Sequence, residues 1–449
     1  MAALLEEPAT ANITRPRRTA SAATIDAHRP AIRTVGVGLL GVGTVGQAVA
    51  KLITQSRDLL RERGIDVKLT VALVRDSLRK RAGITTATQL VTTPAAFLAH
   101  EFDVVVEVLG GVEPAYSIVR KLLAVGTSVV TANKSLIAAH GEELLRIAAH
   151  SGATLRCEAS ALAGVPVLNT LRDRPLAARV EKLVGIVNGT SNYVLTRIAN
   201  DGVTLDAAVA RAIELGLAEP DPSFDLSGRD ACEKLCVLLQ HLGIGGVSRE
   251  SIETAGIEQL TPDDLAQARI FGGVIKPIAA AGIGDDAVDA FVGPAFVPAN
   301  HALAALEDQQ NGITLAGPQI GNLCFTGPGA GPDVTAGTIV DDLLDAATPR
   351  RVPAYSPLSR RAVRTATTGW FVRIEFVPGR ARLEAVGSIL SSHGVQPRGL
   401  FGLRHAAGVD RLYTLTRPCD TQALRGAIAE VEATLDCKVF AIRALTTER

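Results

Sequence analysis

The chain has 449 residues, 47% of them hydrophobic, which is length for about three domains, each able to bury a core. Its 46 basic and 46 acidic residues cancel to a formal net charge of zero, which argues against nucleic acid or an anionic membrane surface as the main partner. No apolar stretch reaches the roughly 18 residues of a membrane span.

Residues 1–30 are rich in Ala, Thr and Arg without an apolar period. They read as a disordered tail, since Glu6, Glu7 and Asp26 argue against a transit peptide, which is poor in acids. From 31 to 160, strand-like and helix-like patterns alternate. Val35–Leu40, Val67–Val74, Asp103–Leu109 and Ser128–Ala132 read as strands. Gly46–Arg63, with Val49, Leu52, Ile53, Leu59 and Leu60 on its apolar side, and Ile118–Ala124 read as helices. Such alternation predicts an α/β fold, a parallel sheet with helices on both faces.

Residues 161–315 differ in texture, with long helical stretches such as Leu205–Leu215 and Arg229–Leu242 between Gly- and Pro-bearing loops. They read as an inserted α+β substrate domain. The loop Thr326–Asp333 leads into a helical stretch, Val334–Ala347, so that about 316–347 returns to complete the first domain. Residues 348–367, with Pro349–Ser359 at their core, read as a linker. In 368–449, Trp370, Val372, Ile374 and Phe376 alternate along one strand face. A helix follows through Leu383, Val386 and Leu390, stopped at Gly394, then strands near Leu400–Leu403 and Arg411–Thr416 with Gly408 in their turn. A helix at Thr421–Thr434 and a strand at Cys437–Leu445 complete a ferredoxin-like βαββαβ order.

The strongest local motif is Gly41-Val42-Gly43-Thr44-Val45-Gly46, placed between a predicted strand and a predicted helix. The first Gly permits the tight turn, the second lets the backbone approach a pyrophosphate, and the third lets helix and strand pack closely. Alone the pattern is weak in a chain with 42 Gly; its context makes a Rossmann-type dinucleotide-binding domain the better reading than a tight turn without ligand. Arg75, at the end of the second strand with Arg79 and Lys80 behind it, favours NADP(H) over NAD(H), although Asp76 is adjacent.

Asp230 and Lys234 stand four apart on the predicted helix 229–243, whose continuation is apolar on nearly every side. A buried Lys must be paired or shifted toward neutrality, and one so held can give a proton to a carbonyl oxygen. The bland alternative is a surface ion pair. Upstream, Glu219, Asp221 and Asp225 crowd one loop that could take an ammonium group. Lys134 follows a strand at the carboxyl edge of the sheet, where ligands sit. Glu158, beside the Gly/Ala-rich run to Pro166, could hold a hard monovalent cation or cap a helix. Of the six cysteines, Cys232 and Cys236 lie four apart on a helix without a second pair. Zinc is therefore not expected, and reduced thiols in a cytoplasmic protein are.

Taken together, GVGTVG (41–46), EVLGGVEPA (107–115), TANK (131–134), EAS…GVP (158–166), GIVNGTSNY (185–193), LGLAEPDPSFDLSGRDACEK (215–234) and GPGAGPDVTA (327–336) resemble homoserine dehydrogenases from about residue 33 to 347. The C-terminal unit is similar to an ACT regulatory domain. The resemblance implies NAD(P)H-dependent reduction of aspartate semialdehyde to homoserine, and the reverse, in threonine, methionine and isoleucine biosynthesis. It implies Lys234 as proton donor, Asp230 as its partner on the substrate, and Glu219 and Asp225 as holders of the substrate ammonium. Lys134 would lie between nicotinamide and substrate, with Gly110 and Gly331 touching the cofactor. A monovalent cation such as sodium would sit on Glu158 and the carbonyls of Ala161, Ala163 and Val165, and a homodimer would form through the central domain.

The chain departs from the family in two places. Ala161 and Ala163 stand where the family has Val and Gly, which matters only if position 163 needs positive φ. In the ACT-like unit the usual Asp-x-Pro-Gly-Val-Leu is Val377-Pro378-Gly379-Arg380-Ala381-Arg382-Leu383, so a threonine effector and a purely structural unit both stay open. His301 reads as structural, and Cys157 lacks the setting of a nucleophile. The alternatives are a related amino-acid dehydrogenase, or a non-catalytic sensor, which would have no need of Asp230 and Lys234.

Overall fold

The structure, a computed structural model, describes residues 32–172, 179–348, 358–363, 367–377, 382–404 and 410–445. The expected tail, residues 349–357 of the expected linker, the altered loop at 378–381 and the turn at Gly408 lie outside them.

Runs of Val, Leu and Ile build the first sheet from β1 (Arg33–Leu40), β2 (Ile65–Leu73), β3 (Gln89–Val91), β4 (Val104–Glu107), β5 (Ser128–Thr131) and β6 (Leu155–Arg156). All neighbours are parallel, in the order β3-β2-β1-β4-β5-β6. This is the order of the Rossmann-type domain expected from the sequence, and the succession of strands reverses between β1 and β4, opening a crevice at their carboxyl ends. The helices are α1 (Thr44–Gln55), α2 (Arg57–Glu62), α3 (Pro94–Leu98), α4 (Ala115–Ala124) and α5 (Lys134–Ser151). Val35, Val37, Val104 and Val106 pack toward α1; Val105 and Val129 pack toward α4 and α5. Both faces are covered, so the strands read as continuous apolar runs. The single helix expected over 46–63 is two, broken at Ser56. The break lets Leu60 turn inward while Leu59 stays exposed.

The central region contains α6 (Val167–Arg172), β7 (Lys182–Ile186), α7 (Gly189–Asp201), α8 (Leu205–Glu214), α9 (Ser223–Leu226) and α10 (Arg229–His241). It continues through β8 (Ile244–Gly245), β9 (Glu253–Thr254), α11 (Pro262–Ile270), β10 (Gly273–Ile283), β11 (Ala287–Pro298), β12 (Gln310–Gly317) and β13 (Gly321–Pro328). Strands β13-β12-β7-β10-β11 pair antiparallel. Because β12 and β13 belong to this sheet, the chain returns to the first layer at α12 (Pro332–Ala347), later than the expected 316. The expected loop 326–333 shrinks likewise, since β13 runs to Pro328. Helix α12 buries Ala336, Ile339, Val340 and Leu343 with the α1 side of the first sheet.

Part of the expected linker is ordered into strands. β14 (Leu358–Ser359) pairs with β8, and β15 (Arg361–Val363) pairs with β11. The C-terminal unit follows the expected order through β16 (Gly369–Phe376), α13 (Leu383–Ser392), β17 (Phe401–Arg404), β18 (Asp410–Leu415), α14 (Thr421–Leu435) and β19 (Cys437–Ala444). Its strand order β19-β16-β18-β17 is that of a ferredoxin-like sheet, and β19 joins it to β11. Trp370, Val372, Ile374 and Phe376 face α13 and α14 as the alternation predicts. The opposite face of β16 is buried too. Phe371 stacks on Phe296 with centroids 6.1 Å apart, and Arg373 pairs with buried Asp264. Among the described residues no helix is long and apolar enough to cross a membrane.

Candidate active site

Helix α10 carries an apolar stripe into the main core through Leu235, Cys236, Val237, Leu238 and Leu239, and it packs on α5. Its N-terminus therefore lies beside the N-terminus of α5 at the sheet's carboxyl edge. Gly228 begins α10 at φ +80, and a Cβ there would come 3.0 Å from the Ala255 carbonyl, so only Gly makes this turn without strain.

At that junction Asp230, 4% exposed, accepts from two lysines. Lys134 Nζ is 2.7 Å from Oδ1 and Lys234 Nζ is 3.0 Å from Oδ2. Lys234 also donates to the Val187 carbonyl at 2.7 Å. It is therefore paired, one of the two outcomes expected of a buried Lys. Burial alone would raise the Asp230 carboxyl, but Lys234 and Lys134 hold it well below the usual range. Burial opposes charge on Lys134 as well, and Asp230 outweighs it, so the ammonium is favoured.

Asn188 organises the acids. Its Nδ2 donates to Asp225 Oδ1 and to Asp230 Oδ2, each at 2.8 Å, while its Oδ1 accepts from the Ser191 N–H at 2.7 Å as the cap of α7. Lys134, Asp225, Asp230 and Lys234 are thus brought together. Glu219 is exposed on the loop after α8 and is not brought into that network; it makes no hydrogen bond or ion pair among the described residues. Sequence reasoning missed Asn188, whose signal was an Asn-Gly pair opening a helical pattern.

The crevice between β1 and β4 is lined by glycines. Gly41 has φ +98, and a Cβ on it would meet the Val108 carbonyl at 2.8 Å. A Cβ on Gly46 would lie 2.2 Å from the Gly41 carbonyl, whereas one on Gly43 would meet nothing within 4 Å. Thr44 and Val45 then start α1. Gly110 follows β4 at φ +75, and Gly331 precedes α12 at φ +120. Behind them lies Glu107, fully buried. It accepts from Thr131 Oγ1 at 2.5 Å, Leu109 N–H at 2.7 Å and Asn133 Nδ2 at 3.3 Å. Asn133 also donates to the Gly111 carbonyl at 2.7 Å and caps α5. The glycine loop and the helix bearing Lys134 therefore share one buried network. Arg75 is exposed beyond β2. Asp76 turns its carboxylate into its own loop, accepting from the Leu78 N–H at 2.8 Å.

Glu158 caps a helix. Its carboxylate accepts from the N–H groups of Val167, Leu168 and Asn169 at 2.9, 3.0 and 2.5 Å, at the start of α6. Burial pushes this carboxyl up to about 7 against those donors, which favour its charge, and buried Asp342 is pushed up to about 6. Ala161, Ala163 and Val165 form the turn between Glu158 and α6. The carbonyl of Ala163 accepts from Thr338 Oγ1 and that of Val165 from the Val167 N–H. Ala163 is not among the described residues with positive φ, so replacing Gly there costs nothing in backbone strain. His301 caps the turn at 302–305 through Nδ1. The Cys157 thiol, pushed up by burial, lies 3.0 Å from Nε2 of His241, itself pushed down to about 4 by burial. Both are held neutral, which does not activate a nucleophile.

This geometry has close relatives. The family model for homoserine dehydrogenase matches residues 166–344, and that for the homoserine dehydrogenase NAD binding domain matches 41–158. The homoserine dehydrogenase of Bacillus subtilis is 35% identical over 317 residues, covering 70% of this chain and 73% of its own length. That of Synechocystis sp. is 31% identical over 420 residues, covering 89% and 96%. The solved homoserine dehydrogenase from Thiobacillus denitrificans superposes with a TM-score of 0.84 at 31% identity, over 93% of this chain and 99% of that one. With an NAD-binding sheet, a paired lysine site and relatives matched over most of their length, the chain belongs to the homoserine dehydrogenase family.

Proposed function

We propose that Lys234 moves the proton in the reaction of this NAD(P)-dependent oxidoreductase, the interconversion of aspartate semialdehyde and homoserine. The observation that carries this reading is the Asp230 carboxylate shared by Lys134 and Lys234 at 2.7 and 3.0 Å. Bound dinucleotide supplies or takes up the hydride. Lys234, steadied by Asp230 and the Val187 carbonyl, gives a proton to the aldehyde oxygen and recovers it from the alcohol in reverse. Asp230 orients Lys234 and accepts from substrate. Asp225, steadied by Asn188, and Glu219, exposed and without a partner among the described residues, take the substrate ammonium. Lys134 stands between nicotinamide and substrate.

The glycine loops fit a dinucleotide. The space beside Gly43 is where a pyrophosphate approaches the N-terminus of α1, and Gly41, Thr44, Val45, Gly46, Gly110 and Gly331 complete the cradle. Gly46→Ala is expected to abolish dinucleotide binding, because its Cβ would displace the Gly41 backbone; a fluorescence titration with wild-type affinity would contradict this. NADP(H) is the preferred cofactor, with Arg75 free to meet the 2′-phosphate and Asp76 engaged in its own turn. Arg75→Ala is expected to raise the KM for NADPH by on the order of tenfold, the loss of one charged hydrogen bond, and to leave that for NADH unchanged. An unchanged ratio of the two would remove Arg75 from this role.

For the monovalent cation, the carbonyls of Ala161, Ala163 and Val165 are suitable hard donors, each oxygen having a second lone pair. Glu158 contributes by holding their turn through its cap on α6. A homodimer through the central domain is part of the same family reading. The C-terminal unit is read as an ACT-type domain on its ferredoxin-like order, with threonine as the effector to titrate.

The test is NADPH oxidation by purified protein given aspartate semialdehyde, with Lys234→Ala in parallel. Wild-type turnover in the variant would sink the assignment of the proton donor.

A further inference from the structure

Next to Lys234 on α10 stands Glu233, a residue that the chemistry above leaves unused. It is 3% exposed. A carboxylate so buried is retained at a cost unless its oxygens are matched. Both are matched, and by partners from different parts of the chain. Oε2 accepts from Ser135 Oγ at 2.8 Å, and Oε1 pairs with Arg249 Nη1 at 2.9 Å. Ser135 follows Lys134 in the first turn of α5. Arg249 lies in the short segment after β8, whose strand is paired with β14 and whose Gly245 carbonyl accepts from the Arg360 N–H at 3.0 Å.

The two helix ends are therefore joined twice. One joint is Lys134 to Asp230, between groups that must also meet substrate and cofactor. The other is Ser135 to Glu233, one residue after Lys134 on α5 and one residue before Lys234 on α10, and free of that duty. When substrate competes for Asp230 and Lys134, the first joint is disturbed and the second can hold the register of α5 against α10. Arg249 supplies the counter-charge that makes a buried carboxylate tolerable there, and it belongs to a segment anchored by main-chain pairing. Polar groups in such a bridge act as a unit, so removing either end should cost what removing both costs.

We propose that Glu233 is a positioning residue that, through Ser135, sets the place of Lys134 in the site. This rests on the role proposed above for Lys134.

The experiment is a double-mutant cycle in the full-length chain, reading kcat/KM for aspartate semialdehyde, the Kd for NADPH and the melting temperature. Ser135→Ala is the mild variant and is expected to fold. It should lower kcat/KM by roughly tenfold or more, since small misplacements of a reacting group are costly, with the Kd for NADPH unchanged. Glu233→Leu should lower it equally, and the double variant no further. Glu233→Gln, which keeps an acceptor for Ser135 but not the charge, should recover most of the loss. Additive losses, or a lower melting temperature in Ser135→Ala and Glu233→Leu with kcat/KM intact, would overturn the proposal and leave Glu233 a purely structural brace. Lys134→Ala separates the two readings. Lost turnover in Lys134→Ala beside wild-type turnover in Ser135→Ala overturns the positioning role alone. Wild-type turnover in Lys134→Ala overturns the reading of Lys134 itself.

Discussion

Lys234→Ala is expected to lower turnover by about 10²- to 10⁴-fold, the range for losing a positioned acid–base group, while dinucleotide affinity stays at the wild-type level. The separation follows from the architecture. The glycine turn Gly41–Gly46 lies at the crevice between β1 and β4, whereas Lys234 is on α10 of the central region, joined to that sheet through Asp230 and Lys134. The Ala side chain removes the bond to the Val187 carbonyl along with the ammonium, and Lys134 remains to pair with Asp230. The fold should therefore survive. Turnover by absorbance and binding by fluorescence, measured on the same preparation, decide it. Loss of both together would mean that the residue supports the fold rather than the chemistry.

Asp230→Asn should be worse, for turnover and for stability alike. Asn keeps the shape and removes the charge, leaving two ammonium groups, their side chains 32% and 12% exposed, around a neutral amide. A broken buried pair costs about 3–5 kcal/mol; the lower end applies, because Lys134 is one-third open to solvent. The pH dependence has a definite sign. The Asp230 carboxyl is held below its unfolded value, so its stabilisation is present above about pH 4 and is lost as pH falls through the folded value. The Lys134 ammonium is held above its unfolded value, so its share is complete below about pH 10 and lost as pH rises through the folded value. Between those limits the destabilisation by Asp230→Asn should not change. Urea denaturation of both proteins near pH 5 and near pH 8 should give the same difference; a difference that grows toward either pH would show that the triad is not ionised as described.

Legibility tracked how local each feature is. The Rossmann sheet was readable because its strands are apolar runs and its turn chemistry lies in six consecutive residues. Asp230 and Lys234 were readable because a charged pair at helical spacing interrupts an apolar helix. The long strands β10 and β11 were not identified, since GVIKPIAAAGI and AVDAFVGPAFVP are rich in Ala, Gly and Pro and weak in strand propensity. Their pairing to β7 and β19 is set by tertiary contact. For the same reason only one face of β16 was read, the one with Trp370, Val372, Ile374 and Phe376, whereas Phe371 and Arg373 on the other meet Phe296 and Asp264. Asn188 and Glu233 have no signature of their own. Their meaning comes from partners 37 and 98 residues away, Asp225 and Ser135. Glu158 carried two readings in the sequence, and its cap on α6 became visible only with the start of that helix beside it.

The most direct test of the central claim follows NADPH absorbance when the purified wild-type chain is given aspartate semialdehyde, with NADH as the parallel cofactor. Rapid oxidation is the result predicted by a site in which Asp230 holds both lysines, and a faster rate with NADPH than with NADH is the result predicted by the proposed role of Arg75. Tight binding of NADPH without oxidation would contradict it and leave a chain that binds the cofactor but does no chemistry on this substrate.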